Sequence, residues 1–284
     1  MIVDEAHRLS EKSRFYGYGE NQIKEIIHAA KFTVFFLDEN QRVTLKDIGK
    51  ESTIMEFANE LGAGIYRYEL ESQFRCNGSD GYIAWLDDVL EIRKTANFDI
   101  DGFDYDFKIF DDPNELRKTI EAKNRTNNKS RIVAGYCWEW PKTTRRNPDY
   151  HDIIIPEYHF EMSWNLDSSE LFAIGKNTVK QAGSIHTTQG LEFDYVRVIV
   201  GNDMRYENGQ VITDYTKRAK SDKSLNGLKK YPKEEQHAIA DEIIKNTYRT
   251  LMTRGMKGCY VYCVDEKLRD YFKERMAHDE RMKK

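Results

Sequence analysis

No apolar run in the sequence approaches the roughly 18 residues that a membrane-spanning helix requires. The first residues also lack the basic, then apolar, layout of a secretory signal. A cytoplasmic location with no membrane partner is therefore expected. Cysteine is scarce, with four residues at positions 76, 137, 259 and 263. None forms a CxxC pair, and reduced thiols in a reducing compartment are the expected state rather than a metal centre. Cys259 and Cys263, in CYVYC, share one face of a strand and read as two core thiols. An excess of positive charge is missing too: 44 Lys and Arg face 48 Asp and Glu, a net charge of −4. That balance excludes a uniformly basic nucleic-acid binder but leaves room for a local basic groove. Internal repeats and low-complexity tracts are also missing.

What is present is a charged globular composition, 39% hydrophobic and 32% charged, with a mean hydropathy of −0.75. The length of 284 residues suits one or two domains with a sizeable core. MIVDE opens as a short apolar strand ending in two carboxylates. NQIKEIIHAAKF reads as a helix and TVFFLD as a strand. STIMEFANELG places Ile54, Phe57, Ala58 and Leu61 on one helical face before stopping at Gly62. IYRYELE alternates and reads as a strand. GYIAWLDDVLEI and DPNELRKTIEAK read as helices separated by a polar, acidic stretch, and RIVAGYCW as a strand. FDYVRVIVG is a buried-strand run, PKEEQHAIADEIIKNTYRTLMTR a long helix, and GCYVYCVD a final strand. Strands interleaved with helices predict an α/β fold with parallel sheets and flanking helices.

Five polar motifs fall at element ends. Asp4 and Glu5 end the first strand, in DEAH with His7. Asp38 and, three residues on, Gln41 end the next, in LDENQR; a Gln there can bond a γ-phosphate or an attacking water. Arg75, in ESQFRC, lies between a strand and a helix, where a guanidinium can meet phosphate oxygens bidentately. In IHTTQGLEFDYV, Thr188 and Gln189 supply hydrogen-bonding groups, Gly190 allows close backbone approach and Glu192 adds an acceptor. Arg254, in TRGMKG, sits at a helix end before Gly255 and Gly258. In this order the motifs resemble motifs II to VI of superfamily-one helicases. The wording QFRCNGSDGYIAWLD, AGYCWEW, IHTTQGLEFDYV and NTYRTLMTRGMKG is more specific. Across essentially the whole chain it resembles the Schlafen-like (group 3) DNA/RNA helicase domain family.

That resemblance implies two RecA-like domains acting on ATP and Mg²⁺. Residues 1–70 would form an incomplete first domain and 71–284 the second, with a basic insertion near 214–233. Carried over, Asp4 would bind Mg²⁺, Glu5 would polarise water and Gln41 would sense the γ-phosphate. Arg75 and Arg254 would contact phosphate. His7, Thr188, Gln189, Gly190 and Glu192 would bind nucleotide or couple its state to nucleic acid.

One departure stands out. The family's phosphate loop, GxxxxGK[ST], has no match: Gly49-Lys50 precedes Glu51 and Gly175-Lys176 precedes Asn177. The chain therefore reads as the C-terminal portion of a longer NTPase, whose missing N-terminal segment would be its partner. Alone it is expected to hold no nucleotide tightly and to be inactive, and the first strand to show an unpaired edge or to borrow a partner. An alternative is a nucleotide-independent nucleic-acid or protein binding module on a degenerate helicase fold. A remoter one is a metal-dependent hydrolase using His151, Glu157, His159 and Glu161.

Nucleic-acid contacts are expected to be weak, non-specific and made to DNA or RNA. The span from Lys217 to Lys233 carries seven Lys or Arg against one Asp. Lys217, Arg218, Lys229, Lys230 and Lys233 are its candidate phosphate contacts. Trp138 and Trp140, beside TTRR, could stack bases, although one core and one loop-covering Trp is the preferred account.

Overall fold

Parallel pairing of the apolar runs organises the chain. The computed structural model describes residues 1–12, 19–69, 76, 80–94, 105–167, 171–188 and 190–281. It divides into two compact units, residues 1–71 with 223–239, and residues 72–222 with 240–284. The segment 223–239, expected within the second domain, thus groups with the first. Inside that unit the Leu45 N–H donates to the Ser224 carbonyl at 2.8 Å.

The first unit begins with β1 (Ile2–Val3), followed by α1 (Gln22–Ala29), β2 (Val34–Phe35) and α2 (Glu51–Glu60). α1 starts at Asn21, whose side chain accepts the N–H groups of Ile23 and Lys24, satisfying donors that an uncapped helix leaves unpaired. α1 packs on α2. β1 and β2 run parallel, with Ile2 opposite Val34 and Val3 opposite Phe35. The Ala6 N–H extends the ladder to Phe36 O at 2.8 Å. Among the described residues β1 pairs with β2 alone. Parallel strands are normally covered on both faces, yet Ile2 is 76% exposed and Phe36 44%. The expected strand IYRYELE does not form over its described residues, 65–69. Tyr66 and Tyr68 are instead exposed, because alternation stabilises a strand only where a neighbouring ladder exists to pair with it.

The second unit is built on α3 (Asp80–Val89), β3 (Asp106–Ile109), α4 (Pro113–Asn127) and β4 (Ser130–Ala134). A hairpin follows, β5 (Ile153–Ile155) and β6 (Phe160–Met162), then β7 (Ala182–Gly183), α5 (Ile185–Thr188) and β8 (Phe193–Val200). A second hairpin, β9 (Met204–Glu207) and β10 (Gln210–Thr213), leads into 3-10 turns and α6 (Lys233–Met252). β11 (Gly255–Cys263) and α7 (Glu266–Arg281) complete the unit. The division between the units falls inside α6.

Five strands form one sheet in the order β3-β11-β8-β4-β7, all parallel. The central strands are buried almost throughout, as a parallel sheet demands. Between Gly255 and Gly258 the β8–β11 register shifts. A Cβ at Gly258 would lie 2.5 Å from the Asp106 carbonyl, so β3 can approach β11 only across a glycine. α4 is capped by Asp112, starts on Pro113 and ends on left-handed Asn128; it packs on β4, β8 and β11, while α7 packs on β3, β9 and β11. α3 is clamped by charge: fully buried Asp87 pairs with Arg249 of α6 and, at 2.8 Å, with Arg93. All four cysteines are free thiols, three of them buried. The fold is α/β, with parallel sheets and flanking helices of the RecA-like kind.

Candidate functional site

The paired carboxylates leave β1 on a sharp turn. Glu5 sits in the left-handed region, φ 51°, a conformation that non-glycine residues adopt at some cost. It leads into a 3-10 turn at Ala6–Arg8. Asp4 is exposed and its Oδ1 accepts the Glu5 N–H at 2.8 Å. His7 is buried, and its Nε2 lies 3.1 Å from Glu5 Oε2, an electrostatic contact rather than an aligned hydrogen bond. Burial holds the His7 pKa below its ordinary 6.5, against the opposing pull of Glu5, Asp38 and Asp47.

Next to this turn the chain after β2 forms a second one, Glu39–Gln41, capped by Asp38. The same carboxylate accepts Asn40 N–H at 3.1 Å and the Gln41 amide Nε2 at 2.7 Å. Gln41 is therefore buried and oriented by Asp38 rather than displayed on an open loop.

The following residues latch onto the carboxylate turn. Asp47 Oδ2 accepts the Val43 and Thr44 N–H groups, and Arg42 Nε donates to the Asp47 carbonyl at 2.9 Å. The Ile48 N–H donates to Leu9 O at 2.8 Å. A Cβ on Gly49 would lie 1.9 Å from the Ala6 carbonyl, so only glycine permits this seating. Asp47 and Gly49 were not among the expected site residues. The signal in the sequence is the Gly49-Lys50 pair, whose glycine serves this seating rather than a phosphate loop.

In the second unit, α5 is closed by its own hydroxyls. Thr187 Oγ1 accepts the Ser184 N–H at 2.8 Å, and Thr188 Oγ1 donates to Ser184 O at 3.0 Å. Thr188 is fully buried, so its hydroxyl is committed to the backbone. Gly190 turns the chain with φ 79° in open space, and the Leu191 N–H returns to Thr188 O at 3.0 Å. Glu192 is exposed; Gln189 and Arg75 lie outside the described residues. Arg254 is buried against this loop. Its carbonyl accepts the Phe193 N–H at 2.9 Å and its Nη1 reaches Leu191 O at 3.5 Å. The structure thus brings Arg254 and the Gly190 loop together, and separately Asp4, Glu5, His7 and Gln41.

The basic span is split between the units. Lys229, Lys230 and Lys233 are exposed in the first, and Lys217 is exposed in the second. Arg218 departs from the expected surface position: it is buried, 2.9 Å from Asp222 and 3.8 Å from Asp203. Its guanidinium is neutralised inside the fold and is not presented to a phosphate. Trp138 and Trp140 are both half-buried, with the Arg145 guanidinium 5.6 Å over the Trp140 ring. His151 Nδ1 meets Glu161 Oε2 at 3.0 Å, while His159 stands in a left-handed turn before β6. Among the described residues no group of three or more His, Cys, Asp or Glu could hold a metal ion. No described helix is long and apolar enough to cross a membrane.

The chain matches the family Schlafen group 3, DNA/RNA helicase domain, across residues 1–265. It belongs to that family. It is also similar to the uncharacterized protein YPL245W of Saccharomyces cerevisiae, 26% identical over 293 residues. That match takes in 95% of this chain and 63% of the relative, so the chain spans less than two thirds of the relative's length. No solved structure matches.

Proposed function

We propose that this chain carries motifs II to VI of an ATP-dependent, helicase-like NTPase that moves along nucleic acid in the cytoplasm. The observation that supports this most directly is the seating of Arg254. Backbone and side chain tie it to the Gly190 loop, so a displacement of that loop is felt at the arginine. In phosphoryl transfer such a cation meets charge developing on the γ-phosphate, and Arg75 would be the second.

In the first unit Asp4 is suited to Mg²⁺. It is an exposed carboxylate at a strand tip, and Mg²⁺ is commonly held by one or two carboxylates plus substrate phosphates. Mg²⁺ would supply charge neutralisation at the phosphates of bound ATP. Glu5, whose Oε2 faces His7, would orient the attacking water. Gln41, aimed by Asp38, would read the γ-phosphate. His7, Thr188, Gln189, Gly190 and Glu192 would couple nucleotide state to the polymer. The exposed lysines would give weak, salt-sensitive binding to DNA or RNA.

A second reading is a binding module that works without nucleotide, which the exposed Lys229, Lys230 and Lys233 favour because they need no nucleotide to meet a phosphate backbone. Phosphate-release assays separate the two. The 284-residue chain is expected to hydrolyse no ATP above background. A version extended in frame upstream of the Met1 codon, bearing the phosphate loop, is expected to turn over. In that version Arg254→Ala should lower kcat by about 10³-fold, the scale of an arginine finger, with nucleotide affinity much less affected. Arg254→Lys, checked for an unchanged melting profile, guards against simple unfolding. Turnover by the 284-residue chain alone, or an extended enzyme indifferent to Arg254, would overturn the proposal. Stop codons directly upstream would favour the binding module.

A further inference from the structure

Glu139 stands between two tryptophans in a loop rich in cations, where a carboxylate should repel an anion. Its chemistry is otherwise occupied. Oε1 accepts the Lys220 N–H at 2.7 Å and Oε2 the Ser221 N–H at 3.3 Å. The Trp140 N–H donates to Ser221 Oγ at 3.2 Å, and the Ala219 N–H to Tyr136 O at 2.8 Å. The two strands of chain, 136–140 and 219–221, are thus fastened together by four hydrogen bonds. Arg218 turns inward to Asp222 and stands 5.6 Å over the Tyr136 ring, and its neighbours turn out. Lys217 and Lys220 are exposed, as is Lys142, and none of the three forms an ion pair among the described residues. Arg146 is also mostly exposed, anchored at 3.0 Å by Asp167. Glu139 and Asp222 are spent internally, and the three lysines are left outside.

The place in the fold is suitable. The loop from 135 follows β4, Asp203 follows β8, and Tyr136 lies 5.8 Å from His186 of α5. These are the carboxyl ends of parallel strands, where α/β sheets bind ligands. Trp140 with Arg145 over its ring offers flat π and guanidinium groups, which serve unstacked bases rather than a closed duplex.

We propose that Lys142, Arg146, Lys217 and Lys220, beside Trp140, form a binding platform for single-stranded nucleic acid, and that Glu139 is its positioning residue. This rests on the nucleic-acid reading above and assigns it a place in the second unit. The four cations contact phosphodiester oxygens, which RNA and DNA share. Glu139 touches no polymer; it holds Lys217 and Lys220 beside the tryptophan loop.

The charge of Glu139 makes the idea testable. If the carboxylate acted only as a charge, Glu139→Gln would tighten binding of an anion. If it positions the basic segment, the amide places a donor against a backbone N–H and loosens the latch. Fluorescence anisotropy of labelled oligouridylate and oligothymidylate, titrated with the 284-residue protein across a range of KCl, reads both effects. Glu139→Gln is expected to weaken binding about five- to tenfold, the scale of one lost hydrogen bond. Replacing Lys142, Arg146, Lys217 and Lys220 together by Ala should flatten the salt slope by roughly two to three, at about 0.7 per phosphate contact on a single strand. All four side chains are on the surface, and an unchanged melting profile verifies folding. Tighter or unchanged binding by Glu139→Gln overturns the positioning role. An unchanged slope in the fourfold variant overturns the platform. No binding of either polymer by the parent protein also overturns it, while the NTPase reading stands or falls separately on phosphate release by the extended enzyme.

Discussion

The two units hold their candidate groups by different means. In the second, Arg254 and the Gly190 loop ride on β8 and β11, two neighbouring strands of a five-stranded parallel sheet, and the core beneath them is apolar. In the first, Asp4 and Glu5 leave a two-stranded pair whose Ile2 and Phe36 remain largely uncovered. There the geometry comes from side chains grasping backbone: Asp38 on its own turn, Asp47 on Val43 and Thr44, and Gly49 under Ala6. A site carried on buried strands resists perturbation as strongly as the core does. A site carried on a few latches can be loosened without unfolding its neighbour.

The largest expected effect is at the clamp of the second unit. Asp87→Ala leaves Arg249 buried and unpaired, and breaking such a pair costs about 3–5 kcal/mol. All four tryptophans, at 85, 138, 140 and 164, lie in this unit, so denaturant unfolding followed by Trp fluorescence reads it selectively. A loss below about 1 kcal/mol, typical of an exposed pair, would mean that Asp87 is not the clamp.

Gly49→Ala is the matching break in the first unit. The added methyl forces the latch off the Ala6 carbonyl, with a cost of about 1–3 kcal/mol. Hydrogen exchange at Ala6 and Ile48 should quicken while the Trp transition stays in place. A shift of both by the same amount would show that the units unfold as one.

A smaller effect follows from His7. Burial lowers its folded pKa below 6.5, although Glu5, Asp38 and Asp47 pull the other way and Arg8 assists. A lowered folded pKa means that the folded state binds fewer protons than the unfolded state between that value and 6.5. The stability of the first unit should therefore be full above pH 6.5 and decline as pH falls from there through the folded pKa. His7→Gln should flatten that decline, as followed by exchange at Ala6; an unaltered profile would assign it to the carboxylates. The smallest effect on stability belongs to Lys229, Lys230 and Lys233. Replacing all three with Ala should leave melting unchanged and reduce the salt slope for single-stranded nucleic acid by at most about 2. Comparing that slope with the one from the fourfold variant shows which unit carries the polymer.

Much of the larger sheet was legible. FDYVRVIV and GCYVYC announce buried strands because burial on both faces favours near-continuous apolar runs, and the Ile54–Leu61 stripe announces α2. β3 was hidden in an acidic stretch, since Asp106 is offset by Lys108 of the same strand and by Lys123 of α4. α7 was also missed, because its charged sequence carries only a shallow apolar stripe. IYRYELE misled for the opposite reason, with the right local pattern and no partner strand. Of the site, Asp4, Glu5 and Arg254 were marked by motif. The grip of Asp47 and Gly49 was not, being a tertiary contact with no period. Whether a cation in a basic run faces in or out depends on a neighbouring acid; at Arg218 the clue was Asp222, four residues on.

The cysteines add a use for the same division. All four lie in the second unit, and burial pushes the thiols of Cys137, Cys259 and Cys263 well above the ordinary thiol range. Only a thiolate in contact with solvent is alkylated readily. In the native protein buried Cys259 and Cys263 should stay unmodified until the surrounding structure opens, half-buried Cys137 should react sooner, and the modification rates then follow that opening. Alkylation kinetics thus time the second unit alone, with Cys259 and Cys263 reporting on β11 and Cys137 on the loop beyond β4. The first unit has no thiol and stays silent throughout.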